Sequence, residues 1–245
     1  MTRSKLLVFA SVLVILVVLI VFSFPYLKIL SEIVERKMSG KKTVSDRLSE
    51  FGSIVDDRLS PFFKRKSIQY PPGEIVLIAL KKEKVLEVYA NNPGESFKKI
   101  CSYPILAASG RLGPKLKEGD RQVPEGVYKI ESLNPNSLFH LSMKVDYPNE
   151  FDKKKAQIDN RINLGGDIMI HGNQLSIGCI AVGDQASEDL FVLVSKTGHE
   201  KVKVIISPVD FRTKELPEKI VDSKTWTNEL YEIIKKELRM YQKEI

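Results

Sequence analysis

Cysteine and histidine are scarce in this chain: Cys101 and Cys179 are the two cysteines, and there are three histidines in 245 residues. Two cysteines cannot form a dense disulfide framework, so a hydrophobic core has to hold the fold. Three scattered histidines without matching cysteine or carboxylate spacing give no metal-site signature, and the chemistry below needs no cofactor. Aromatic residues make up 8% of the chain and do not interleave with basic ones, which removes the pattern expected of nucleic-acid binding. Lys and Arg total 38 against 31 Asp and Glu, a net charge of +7, but the basic residues are spread along the chain as on a solvated surface. Internal repeats and low-complexity blocks are absent. The remaining composition, 43% hydrophobic and 28% charged, supports one core of ordinary domain size with appendages and leaves two domains cramped.

One long uncharged run stands out, Leu6 to Phe24, after a short basic start containing Arg3 and Lys5. At about 1.5 Å rise per residue it is long enough to cross a bilayer core. The run continues into Phe22-Ser23-Phe24-Pro25-Tyr26 without an A-x-A-like cleavage site. An uncleaved transmembrane anchor over 6–24 is therefore expected, with residues 1–5 as a cytoplasmic N-terminus. Lys28, Arg36, Lys37, Lys41 and Lys42 make the downstream flank as basic as the upstream one, so charge alone does not set the orientation.

Residues 25–70 form a stalk in which Val44, Leu48, Phe51, Val55, Leu59 and Phe62 fall three or four apart, the spacing of an amphipathic helix. Ser45 is its expected cap and Pro61 its expected end. The helix is expected to pack on the domain or on a second copy, with a membrane-surface helix as the alternative. From Tyr70-Pro71-Pro72-Gly73 the texture changes to short β-rich runs: 75–80, 85–89, 99–106, 126–132, 137–145, 167–171 and 202–207. Their spacing predicts a mainly antiparallel β domain over 71–212, with a helix at 187–195. Over 213–245, Trp226, Leu230, Ile233, Ile234, Leu238 and Tyr241 recur at helical spacing, which predicts an amphipathic helix covering that domain.

The chemically informative stretch runs from Ile168 to Ala181 and contains His171-Gly172 and Ser176-Ile177-Gly178-Cys179. It begins as a buried strand and ends in a loop of small residues that carries a cysteine. A thiol nucleophile needs a nearby imidazole to take and later return its proton, and His171 fills that role for Cys179. Gly172 allows a turn directly after the base, and its carbonyl can orient the other imidazole nitrogen. The N–H groups of Gly178 and Cys179 can point at a developing oxyanion. Ser176 can fix the nucleophile loop or serve as a plain turn residue. The other histidines carry less: His140 is expected to be structural, or to line the cleft, and His199 to be exposed. Cys101 lies in an apolar run as a buried thiol.

His-Gly followed by Ser-x-Gly-Cys resembles the catalytic signature of the YkuD-type L,D-transpeptidase family. Further ordered blocks resemble the YafK-like branch of that family, among them Tyr103-Pro104-Ile105, Ser109-Gly110, Leu112-Gly113-Pro114-Lys115 and Glu118-Gly119-Asp120-Arg121-Gln122. So do Pro124-Glu125-Gly126-Val127-Tyr128, Asn134-Pro135-Asn136-Ser137, Leu141-Ser142, Tyr147-Pro148-Asn149 and Phe151-Asp152. The resemblance covers about residues 74–212 and leaves out the anchor, the stalk and the C-terminal helix. It implies a β-rich catalytic domain that serves cell wall biogenesis and cell shape by acting on peptidoglycan stem peptides. Cys179 would attack the carbonyl of the third stem residue, commonly diaminopimelate, to give a thioester, with His171 as general base and then acid. Resolution by an amine gives a crosslink or an anchored protein; resolution by water gives hydrolysis. This chemistry belongs outside the cytoplasm, so the domain is expected in the periplasm or its equivalent, held by the membrane anchor.

Two departures bear on the reaction. Many family members read Ser-His-Gly-Cys and carry an arginine two residues after the cysteine, where this chain has Ile177 and Ala181. Both changes are similar to the YafK-like branch, which includes an enzyme that hydrolyses the bond joining diaminopimelate to an outer-membrane lipoprotein. A hydrolase or specialised transferase is therefore expected ahead of a general crosslinking enzyme, with a peptidoglycan-linked lipoprotein as a possible partner. Arg121 is the candidate to hold a substrate carboxylate in place of the missing arginine, unless Asp120 and Arg121 merely fasten their loop. The alternatives are an L,D-carboxypeptidase that trims tetrapeptide stems, a non-catalytic peptidoglycan-binding scaffold and, more remotely, a cysteine peptidase.

Overall fold

The computed structural model describes residues 40–216 and 224–241, together with Leu27. The expected anchor over 6–24 lies outside the described residues, and among those described no helix is long and apolar enough to cross a membrane.

The strand β1, Glu74–Leu80, sets the layering. Its sequence is apolar at almost every position, which suits a strand covered on both faces. Ile75, Leu77 and Ala79 enter one core, while Val76, Ile78 and Leu80 enter another on the opposite face. Around it lie β2 (Val85–Asn91), β3 (Lys98–Pro104), β4 (Ala107–Ala108), β5 (Gly126–Ser137), β6 (His140–Val145), β7 (Met169–His171), β8 (Ile180–Ala181) and β9 (Val202–Ser207). They form one nine-stranded sheet in the order β3-β2-β1-β9-β5-β6-β7-β8-β4. Most pairs are antiparallel, but β1 and β9 run parallel, as do β7 and β8. The fold is thus mainly β, with helices on both sides.

Helix α1, Val44–Arg65, lays Val55, Leu59 and Phe63 into the first core. Its cap is Thr43 rather than Ser45, because Asp46 completes a reciprocal capping box with Thr43. The helix also runs past Pro61 to Arg65. Proline removes the donor for the carbonyl of residue 57, but Asp57 is exposed, so water can replace that bond, while buried Phe63 anchors the last turn. Helix α2, Glu150–Ile158, has no counterpart among the expected elements. Helix α3, Asp184–Thr197, packs against α1 and extends the expected 187–195 at both ends. Arg58 of α1 joins the two helices, with Nε 2.7 Å from Asp189 Oδ1 and Nη2 3.0 Å from Glu188 Oε2.

Helix α4, Thr227–Leu238, covers the second face with Leu230, Tyr231, Ile234 and Leu238. The sheet end that carries β6, β7, β8 and β4 holds the chemically informative stretch. There the expected strand over 137–145 breaks at a tight turn, with His140 at φ 69 as the first residue of β6.

Candidate active site

Strand β7 delivers His171 to the sheet end, between Ser142 on β6 and Ala181 on β8. The imidazole is buried and lies against Phe139, with ring centroids 4.8 Å apart. Its Nδ1 is 2.6 Å from the Gly172 carbonyl oxygen. Nδ1 therefore carries the proton, and Nε2 is left with its lone pair. Burial lowers the imidazole below its ordinary value of 6.5, and the Gly172 carbonyl only partly offsets this.

Gly172 sits where a side chain does not fit. A Cβ there would lie 2.8 Å from Asp184 Oδ1, Phe139 O and Ser187 Oγ alike. The next residue, Asn173, takes a left-handed turn at φ 59, and its N–H donates to Asp184 Oδ1 at 2.7 Å. The N-terminus of α3 thus braces the turn that follows the imidazole.

Cys179 immediately precedes β8, whose parallel register sets Ile180 beside Ile170 and Ala181 beside His171. Extending that register by one residue puts Cys179 beside Met169, on the face that His171 shares. Ideal strand spacings put the Cα atoms of His171 and Cys179 about 8 Å apart. In this structure Sγ lies 3.6 Å from the Asp167 carbonyl oxygen. Burial raises the thiol above its ordinary 9.0; the Met169 backbone and Lys115 pull it down, and Asp167 pushes it up. Burial thus disfavours the charged form of both groups.

The loop before the nucleophile is closed by two serines. Ser176 Oγ accepts the Cys179 N–H at 3.1 Å and donates to the Cys179 carbonyl at 2.6 Å, so it fixes the Cys179 backbone from both sides. The Gly178 N–H donates to Ser109 Oγ at 2.5 Å, with Gly178 at φ 94. The two amides expected to face an oxyanion are therefore both engaged by hydroxyls, because an amide in a buried turn needs an acceptor even without substrate. Ser109 had no expected role at the site, since 69 positions separate it from Gly178 and nothing local marks it as a neighbour.

Arg121 lies beside this loop: its Cα is 4.0 Å and its carbonyl carbon 3.9 Å from where a Gly178 Cβ would be. The residue is exposed, takes φ 54, and has no side-chain hydrogen bond or ion pair among the described residues. The loop is fastened by Asp120 instead. That carboxylate accepts from Lys115 Nζ at 2.5 Å and from the N–H groups of Leu116, Lys117 and Gln122 at 2.9 to 3.0 Å. Ile177 is 77% exposed.

Other singled-out residues lie elsewhere. His140 Nε2 is 3.0 Å from Glu188 Oε1 and its ring packs edge-on against Phe51, which ties β6 to α3 and α1. His199 is half exposed in a short 3-10 turn, His199–Lys201. Cys101 is a free thiol that burial pushes up to about 11.

A buried imidazole oriented by a backbone carbonyl and a serine-braced loop carrying a cysteine stand on adjacent strands at the end of a mixed sheet, which places the chain among mixed-sheet domains with a histidine–cysteine candidate site. Residues 73–206 match the model of the YkuD family, the L,D-transpeptidase catalytic domain, and the chain belongs to that family. It is 31% identical over 154 residues to YafK of Escherichia coli K12, whose own assignment as an L,D-transpeptidase is provisional. The match takes in 61% of this chain and 60% of YafK. Among solved structures it is similar to the helical cell shape determining protein Pgp2 from Campylobacter jejuni, at 25% identity and a TM-score of 0.46, over 60% of this chain and 50% of that one. Bd1075 from Bdellovibrio bacteriovorus is similar at 23% identity and a TM-score of 0.41, over 58% of this chain and 50% of that one.

Proposed function

We propose that this protein is a membrane-anchored peptidoglycan enzyme that breaks or exchanges an L,D bond at the third stem-peptide residue through a thioester on Cys179. The observation that carries the reading is the 2.6 Å contact between His171 Nδ1 and the Gly172 carbonyl, which leaves Nε2 basic at the sheet end where Cys179 stands. Nε2 takes the thiol proton as Sγ attacks the stem-peptide carbonyl. The S–C bond forms, the tetrahedral oxyanion collapses, and the C–N bond breaks as the imidazolium returns its proton to the departing amine. Water or a second amine then attacks the thioester, with His171 again as base, and the thiol is restored.

Hydrolysis, or transfer to one dedicated amine, is favoured over general crosslinking by the exposed Ile177 and by Ala181 where many relatives carry a polar or cationic group. Arg121 supplies the compensating cation: it is exposed, unpaired among the described residues and next to the nucleophile loop. The periplasmic or equivalent location, with the anchor at 6–24, follows from that apolar run and from where such a substrate lies.

Purified sacculi digested with the wild-type protein and with Cys179→Ala test this reading by mass spectrometry. A product present only with wild type identifies the bond and the acceptor. Loss of a lipoprotein-linked muropeptide marks the hydrolase, and tripeptides formed from tetrapeptides mark an L,D-carboxypeptidase. Identical digests, with no acyl adduct on Cys179 after exposure to a carbapenem, would leave only a scaffold.

A further inference from the structure

The loop that carries Arg121 and the loop that carries Cys179 come from distant parts of the chain, yet one hydroxyl bridges them. Ser109 Oγ accepts the Gly178 N–H at 2.5 Å and donates to the Arg121 carbonyl at 2.8 Å. The donor and acceptor roles are fixed, because an amide can only donate and a carbonyl can only accept. A Cβ on Gly178 would sit at ordinary van der Waals distance, 3.9 to 4.0 Å, from the backbone of Arg121 and Gln122. Each loop also has hydrogen bonds of its own. Ser176 closes the nucleophile loop, and Asp120 and Gln122 close the other, with Gln122 Oε1 accepting the Arg111 N–H at 2.8 Å. Ser109 supplies the side-chain bond from one loop to the other.

We propose that Ser109 is a positioning residue that keeps the carboxylate-binding Arg121 in register with the Cys179 thiol. The inference rests on the enzymatic reading above and deepens it: the acyl donor is read as a carboxylate at a set distance from its scissile carbonyl. A misplacement on the order of 1 Å between such an anchor and the nucleophile is enough to cost a large part of the rate. Ser109 touches neither the substrate nor the reacting atoms, so its loss should appear as lost discrimination.

The test compares two stem tetrapeptides, one with the side-chain carboxylate of its third residue free and one with that carboxylate amidated. Wild type, Ser109→Ala and Ser109→Thr are assayed on both. Wild type is expected to favour the free carboxylate. Ser109→Ala should lose about tenfold in kcat/KM on that donor and distinctly less on the amidated one, so that the preference for the free carboxylate shrinks. Ser109→Thr, which keeps the hydroxyl, should restore the preference. Equal losses on both donors, no loss on either, or a wild type blind to the carboxylate overturn the inference. A gain with Ser109→Ala also overturns it, by showing that the hydroxyl obstructs the Gly178 amide. If wild type turns over neither donor and forms no acyl adduct on Cys179, the enzymatic reading fails and takes this inference with it. If wild type is active and the variants behave otherwise than stated, only the inference fails.

Discussion

His171 takes its orientation from the residue directly after it, with Nδ1 2.6 Å from the Gly172 carbonyl oxygen. A carbonyl fixes the tautomer as a carboxylate would, but without placing a negative charge beside the ring. The imidazole therefore gains little stabilisation for its protonated form, and burial is left to lower its pKa. The same burial works against a thiolate at Cys179. A resting thiolate–imidazolium pair is disfavoured from both sides.

The reactivity of the thiol toward a neutral alkylating reagent should follow from this. In a Cys101→Ser background, iodoacetamide labelling of Cys179 is expected to be slow at neutral pH and still rising beyond pH 9, because the thiol lies above its ordinary 9.0. Turnover of a donor peptide should behave differently. On the proposed mechanism it needs only neutral His171, which burial holds below its ordinary 6.5, so kcat/KM should already be level at pH 7. A labelling rate that reaches its plateau between pH 6 and 7 would show a preformed ion pair and refute this picture.

Gly172 supplies both the carbonyl and the space around it. Gly172→Ala would set a methyl group 2.8 Å from Asp184 Oδ1, Phe139 O and Ser187 Oγ. One of these is backbone, so the strain has to be relieved by moving the turn and the carbonyl that orients His171. Turnover is expected to fall about a hundredfold with a stability loss of about 1–3 kcal/mol. Peptide kinetics and denaturant titration of the same preparation check both numbers. Wild-type turnover in a folded variant would mean that the carbonyl contact does not orient the base.

Much of the fold was legible because its signals are local. The unbroken apolar run of β1 and the helical stripes of α1 and α4 each follow from spacing alone. The elements that escaped are short or held by distant partners. β4 and β8 have two residues each, too few for any periodicity, yet β8 follows Cys179 directly and pairs with β4. Pro61 was expected to end a helix that packing carries onward to Arg65. At the site, His171, Gly172, Ser176 and Cys179 share one short stretch and announce themselves. Ser109 and Asp184 do not, because their roles arise from contacts made only in the folded chain.

The C-terminal helix lies outside the segment that matches the family, yet it reaches the loop beside the site. Tyr231 Oη donates to Glu125 Oε2 at 2.8 Å, and Glu125 Oε1 accepts from Lys81 Nζ at 2.9 Å and from the Gly113 N–H at 2.8 Å. Burial lowers the Lys81 pKa while Glu125 raises it, so the cation depends on its partner. Tyr231→Phe removes one donor from a buried carboxylate, which should cost about 1–3 kcal/mol. Thermal unfolding measures that loss. Hydrogen exchange at Gly113 should quicken with it, and unchanged protection there would show that the helix supports the core without supporting the loop.

Asp152 is a carboxylate whose position opposes its ionisation. Burial raises it to about 6, although the Asn149 N–H draws it down as part of a capping box at the start of α2. Its folded pKa lies above the ordinary value of 3.8, so the native state holds this proton more tightly than the unfolded chain does. Its contribution is fully present below the unfolded pKa and is lost as pH rises through about 6. Between pH 5 and 7.5 the wild type should lose about 1 kcal/mol through this group. Asp152→Asn cannot ionise, and its amide oxygen can still accept from Asn149. The variant should therefore gain on wild type by that amount as pH rises over the same interval, read as the change in their stability difference from denaturant titrations at the two pH values. A difference that stays constant, or shifts toward wild type at the higher pH, would mean that Asp152 is ionised in the native state throughout.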